Sequence, residues 1–144
     1  MSDPHDLQRF VDAQRSTYDR ALAELKAGHK QSHWMWFIFP QIAGLGHSDM
    51  ARRYAISDAD EASAYVQHPL LGPRLEECAE ALLAHAERPA RQILGSPDDI
   101  KLRSSMTLFA AVAPERTLFQ AVLDAFFAAD PDPATLSRLQ REKG

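Results

Sequence analysis

Apolar positions recur with helical spacing over most of the chain. From Asp6 onward, Leu7, Phe10, Val11, Tyr18, Ala21, Leu22 and Leu25 share one helical face, and Asp12, Arg15, Asp19 and Lys26 fall largely elsewhere on the wheel. This pattern predicts one long amphipathic helix that stops at Gly28. Residues 34–39 break the rhythm. Trp34, Met35, Trp36, Phe37, Ile38 and Phe39 are six consecutive apolar residues, and they include both tryptophans of the chain. Polar residues border the run: His29, Lys30, Gln31, Ser32 and His33 before it, Gln41 after it. So dense an apolar run belongs at the centre of a core. Periodicity does not separate helix from strand over so short a stretch. A buried helix is expected because the neighbouring patterns are helical, and Pro40 disfavours helical backbone at Phe39.

Farther along, Gly44-Leu45-Gly46 makes a loop, and Ser48 is placed to cap a short helix through Tyr54. Ser57 offers a second cap, with Asp58, Asp60 and Glu61 in the turn that the helix dipole favours for acids; that helix ends near His68, ahead of Pro69. Leu75, Cys78, Ala79, Leu82, Leu83 and Ala86 form another helical stripe, and Pro89 and Gly95 bracket a short helix. Ser96-Pro97-Asp98-Asp99 reads as a helix N-terminus with Ser96 as the cap. Between Arg103 and Glu115 no residue is charged, so a helix over 104–113 is expected to be buried and to act as the hub. Pro114-Glu115 opens a further helix with the stripe Leu118, Phe119, Val122, Leu123 and Phe126. Asp130-Pro131-Asp132-Pro133 then breaks the chain before a short polar helix.

No segment alternates as a half-buried strand would. The expectation is an all-α, irregular multihelical single domain over residues 1–144, with six to eight helices, a buried central helix and loose tails at 1–5 and 140–144.

Composition narrows the function classes. A chain of 144 residues is long enough for one sizeable core. Its formal net charge of -4 gives no general attraction to nucleic acid. One cysteine, Cys78, excludes an internal disulfide and a metal site of several cysteines. No apolar run is long enough to span a bilayer, and the N-terminus shows no signal-like apolar core, so a cytoplasmic setting without membrane contact is expected.

The longer motifs resemble an uncharacterised bacterial family, domain of unknown function 1810, grouped with the Rv-type hypothetical proteins of multihelical fold. The resemblance rests on Gly28-His29-Lys30-Gln31-Ser32-His33-Trp34-Met35-Trp36-Phe37-Ile38-Phe39-Pro40-Gln41 and on Gly44-Leu45-Gly46-His47-Ser48. It continues through Tyr54, His68-Pro69-Leu70-Leu71-Gly72-Pro73-Arg74-Leu75 and Asp99-Ile100-Lys101-Leu102-Arg103-Ser104-Ser105-Met106-Thr107-Leu108-Phe109. It covers about Leu7 to Phe127 and implies a single multihelical domain. It implies no activity, cofactor or catalytic residue.

Two sets of residues carry candidate chemistry. Lys101, Ser104 and Ser105 stand at i, i+3 and i+4, with Thr107 nearby. A lysine one turn before two hydroxyls supplies charge and directional donors for a phosphate or carboxylate. The competing reading has the hydroxyls bonding back to carbonyls one turn earlier while the lysine reaches to water. Lys30, His33, Trp36 and Gln41 form the second set, in which His33 would act as a general acid or base and Trp36 would stack a base or sugar. Here the competing reading is a core histidine beside core tryptophans. His29 and His33 are four residues apart but lack an identifiable third ligand, so no metal site is expected. If both segments line one pocket, the protein takes a small anionic ligand such as a nucleotide or sugar phosphate, in a binding, hydrolytic or transfer role. The alternative is a non-enzymatic helical module that meets a protein partner.

Overall fold

The computed structural model describes residues 3–143. They form α1 (Gln8–Arg15), α2 (Tyr18–Ala27), α3 (Met35–Ile38), α4 (Asp49–Arg53), α5 (Ala59–Gln67), α6 (Leu71–Leu83), α7 (Ala90–Leu94), α8 (Asp98–Val112), α9 (Leu118–Phe127) and α10 (Pro133–Lys143). The fold is all-α. Among the described residues, sheet-like pairing is confined to one parallel bridge between Ile42 and Ile56.

The charge-free segment becomes α8, which packs against α5, α7, α9 and α10. Leu102, Met106, Leu108 and Phe109 of α8 are buried. The Phe109 ring lies 5.4 Å from that of Tyr65 and 5.8 Å from that of Phe119, within the usual range for favourable aromatic pairs. The second hub is α6, against α2, α5 and α9. The run at 34–39 forms the short buried α3, and its Phe37 carbonyl accepts a 2.7 Å hydrogen bond from the buried Gln14 amide.

Several helix ends match their sequence signals. Gly28 ends α2 in the left-handed conformation, φ 74°, where a residue with a Cβ is disfavoured. The Ser48 side chain accepts from the Ala51 amide at 3.1 Å. Other ends differ. The long first helix is two helices, broken at Ser16-Thr17, whose hydroxyl side chains favour turns over helix interiors. The cap of α5 is Asp58 rather than Ser57, because the Asp58 carboxylate accepts from the Glu61 amide at 2.9 Å. Ser96 caps nothing; the amide of Asp99 bonds to the Gly95 carbonyl and those of Ile100 and Lys101 to Pro97. Helix α6 begins four residues before Leu75, with Pro73 in its first turn, where a missing amide donor costs nothing. Residues 114–117 form a turn, and α9 starts only at Leu118. The described residues form ten helices where six to eight were expected, and the break at Ser16-Thr17 adds one of them.

At the ends, Asp3 is tied in: its carboxylate accepts from the amides of Leu7 and Gln8 at 2.9 and 3.0 Å, and these bonds lower its pKa. The helix α10 runs on through Lys143. Residues 1–2 and 144 of the expected tails lie outside the described residues.

Candidate functional site

The polar approach to the aromatic run is held by one carboxylate. Glu24, on the last turns of α2, accepts from the Gln31 amide (2.8 Å), the Ser32 amide (2.9 Å), the Ser32 hydroxyl (2.6 Å) and the Trp34 indole N–H (2.9 Å). Burial alone would raise the Glu24 pKa, but the bonds from Ser32, Gln31 and Trp34 outweigh it and hold the carboxyl down at about 2. The Lys30 amide donates to the Ile93 carbonyl at 2.8 Å, which fixes the same loop to α7.

Lys30 and Lys101, 71 positions apart in sequence, converge on one residue. The Lys30 ammonium lies 2.8 Å from Asp98 Oδ2, with the lysine side chain 8% exposed. The Lys101 ammonium lies 3.7 Å from Asp98 Oδ1 and is 28% exposed. Each cation also faces an indole: Lys30 is 5.0 Å from the centre of the Trp34 ring and Lys101 is 5.6 Å from that of Trp36, both within the range of cation–π attraction. Trp34 is fully buried, whereas Trp36 is half-buried. The two sequence segments therefore meet, and Asp98 sits where they meet.

Beside this cluster Trp36, Gln41, Ile42, Gly44, Gly46 and Tyr54 line a recess. Its shape follows from the Ile42–Ile56 bridge, in which the Ile56 amide donates to the Gln41 carbonyl and the Ala43 amide to the Ile56 carbonyl, each at 2.8 Å. The free space is about 280 Å³ including the part open to solvent, but the interior has only about 20 Å³ for water-sized molecules. That holds about one water.

The other predicted residues lie apart from this cluster. Ser104 donates to Asp132 Oδ2 at 3.0 Å, with its own Ile100 carbonyl at 3.3 Å. Thr107 donates to the Arg103 carbonyl at 2.8 Å and accepts from the Asp132 amide at 2.9 Å. Asp132 in turn caps α10 by accepting from the Thr135 amide at 3.1 Å. These hydroxyls thus join α8 to the start of α10. Ser105 is fully buried, and its hydroxyl has no partner among the described residues. His33 is exposed on the loop before α3 and does not line the recess. Cys78 is buried, which pushes its thiol up to about 12, far from the reactive range. Asp132→Ala is expected to cost about 1 kcal/mol by removing the cap, and hydrogen exchange should show faster opening of α10 with the rest of the protein unchanged.

Sequence reasoning missed Asp98 as the shared counter-ion, although its place three residues before Lys101 was a readable pairing signal. It also missed Glu24, which has no distinctive local pattern. The Arg138 guanidinium lies against Gly44, so that a Cβ at Gly44 would stand 2.1 Å from one of its nitrogens.

Among the described residues no helix is long and apolar enough to cross a membrane. The family model "Protein of unknown function (DUF1810)" matches residues 4–139. The crystal structure of the conserved hypothetical protein Rv1873 from Mycobacterium tuberculosis is similar at 48% identity and a TM-score of 0.94, over 96% of this chain and 99% of that one. No curated protein matches the chain. With the match spanning nearly its whole length, the chain belongs to the DUF1810 family of proteins of unknown function.

Proposed function

We propose that this protein binds a small anionic ligand, of the nucleotide or sugar-phosphate class, at the rim of the Trp36 recess. The observation that carries the reading is the convergence of Lys30 and Lys101 on Asp98 between two indoles. Two cations face one carboxylate. The closer contact belongs to Lys30, so Lys101 at 3.7 Å keeps charge available for a second anion. Trp36 offers a partly open aromatic surface for a base or sugar. The interior of the recess is too small for such a molecule, so the ligand lies across its mouth. Only three large hydrophobic residues, Leu70, Ile100 and Leu136, are exposed among the described ones, little apolar area for a protein partner. The role is binding, with no reaction assigned to His33.

A thermal-shift screen of nucleotides and sugar phosphates tests the reading. At a ligand concentration near 100 times Kd, native-state binding contributes about 2.7 kcal/mol, which for a chain of this size raises Tm by roughly 5–10 °C. Lys101→Ala should abolish that rise while leaving the unliganded Tm nearly unchanged, because an ion pair this open contributes about 0–1 kcal/mol. If no compound of either class moves the Tm of the parent protein, the reading is lost.

A further inference from the structure

We infer that Asp98 is a specificity-determining residue of this site: it limits the group bound at Lys101 to one negative charge, so that a phosphodiester is preferred to a phosphate monoester. The inference rests on the proposed anionic-ligand reading and narrows it within the nucleotide and sugar-phosphate class.

The two oxygens of Asp98 are divided between the two lysines. Oδ2 takes the Lys30 ammonium at 2.8 Å, and Oδ1 takes the Lys101 ammonium at 3.7 Å. Lys30 lies between Asp98 and the Trp34 ring, 5.0 Å away, with its side chain almost fully buried, so its charge is neutralised within the fold. Lys101 is the more open cation, with Asp98 on one side and the Trp36 ring 5.6 Å away. Asp98 itself is mostly buried, its side chain 18% exposed. Water and salt therefore screen its charge less than that of a surface acid.

The charge of the cluster sets the limit. Two lysines and one carboxylate leave a single positive charge. Among the described residues no other acid pairs with either lysine, and no other base pairs with Asp98. Asp99 is one position from Asp98 and two from Lys101, spacings that do not face each other on a helix. One negative charge at Lys101 meets the surplus. A second charge on the same group meets none, and the Asp98 carboxylate, in contact with that ammonium, repels it. Near neutral pH a phosphate monoester carries about 1.5 to 2 negative charges, whereas a diester carries one. A fixed like charge inside a site is a way to reject a competitor that the attractive contacts alone would accept.

A purely structural role for Asp98 has a different signature. Asp98 joins the loop at Lys30 to the first turn of α8, so its loss would loosen the site and weaken a monoester and its diester alike. A charge role changes the ratio of the two affinities. That ratio separates the two roles.

The test is isothermal titration at about pH 7.5, where the second ionisation of a monoester is nearly complete. The ligands are AMP and glucose 6-phosphate, each beside its phosphate methyl ester, which carries one charge fewer. The proteins are the parent, Asp98→Asn and the double variant Lys30→Gln/Asp98→Asn. In at least one pair the parent is expected to bind the methyl ester about fivefold more tightly than the monoester. Asp98→Asn should bind that monoester about tenfold more tightly than the parent does, which reverses the preference. The double variant should give a ratio between those of the other two proteins. It leaves no buried lysine without its partner, so it carries the test if Asp98→Asn does not fold. A parent that prefers the monoester overturns the inference, as does a ratio that the substitutions leave unchanged or move the other way. Binding that depends on Lys101 would then still stand. If no member of either pair binds the parent, the anionic-ligand reading fails together with this one.

Discussion

Trp34→Ala is expected to lower the unfolding free energy by about 3–5 kcal/mol, the range for truncating a large buried aromatic. Trp34 has no exposed surface and is among the largest fully buried side chains. Its loss would leave a cavity that the surrounding backbone cannot close, because Glu24 and the Ile93 carbonyl fix the loop before it. It would also remove an indole donor from the Glu24 carboxylate and the aromatic face beneath Lys30. Trp36→Ala should cost clearly less, since Trp36 is half-buried at the recess. Urea unfolding of the two variants beside the parent measures both, with the shift in midpoint at constant slope giving the loss. A loss under about 1 kcal/mol for Trp34→Ala would show that the aromatic run does not organise the core.

Glu24→Ala is the second large effect, with an expected loss of about 2–3 kcal/mol at neutral pH, because four donors lose their acceptor together. The same clamp has a pH signature. The Glu24 carboxyl is held at about 2 against an ordinary value of 4.5. A carboxyl lowered by folding adds stability that is fully present above its unfolded pKa and is lost as the pH falls towards the folded one. Its contribution should therefore be constant above about pH 5 and fade between 4.5 and 2. Allowing for solvent screening, the amplitude is about 1–2 kcal/mol. The measurement is the difference in unfolding free energy between the parent and Glu24→Gln from pH 7 to pH 2. A difference that stays constant over that range would contradict the clamp.

The apolar pattern contained most of the helices, because burial of one face is written in side-chain spacing. The hub α8 followed from a missing set of charges, and the ends at Gly28, Ser48 and Gly95 followed from residues that stop or start helices by local chemistry. Where two adjacent residues could both act, local chemistry was insufficient. Ser57 and Asp58 are both good caps, and only the placed chain distinguishes them. Ser96 has the right identity, yet helical bonding starts at the Gly95 carbonyl.

The candidate site was legible in its cations and aromatics, since Lys30, Trp36 and Lys101 stand in unusual strings. It was not legible in its completing groups. Asp98 looked like an ordinary first-turn acid, which it also is. Glu24 lies on the polar face of an amphipathic helix, where a solvated carboxylate is the ordinary expectation. Each is defined by what the fold places opposite it, and a linear sequence does not contain that.

The Glu24 clamp reaches only seven to ten positions along the chain, from Gln31 to Trp34. Closing so short a loop costs little chain entropy compared with joining α8 to α10, where Asp132 and Thr107 are 25 positions apart. The polar half of the Trp34 environment is thus assembled from one contiguous stretch, residues 24–34. During synthesis that stretch is complete before α4 has been made, and the later helices add the apolar half together with Ile93 and Asp98, the partners of Lys30.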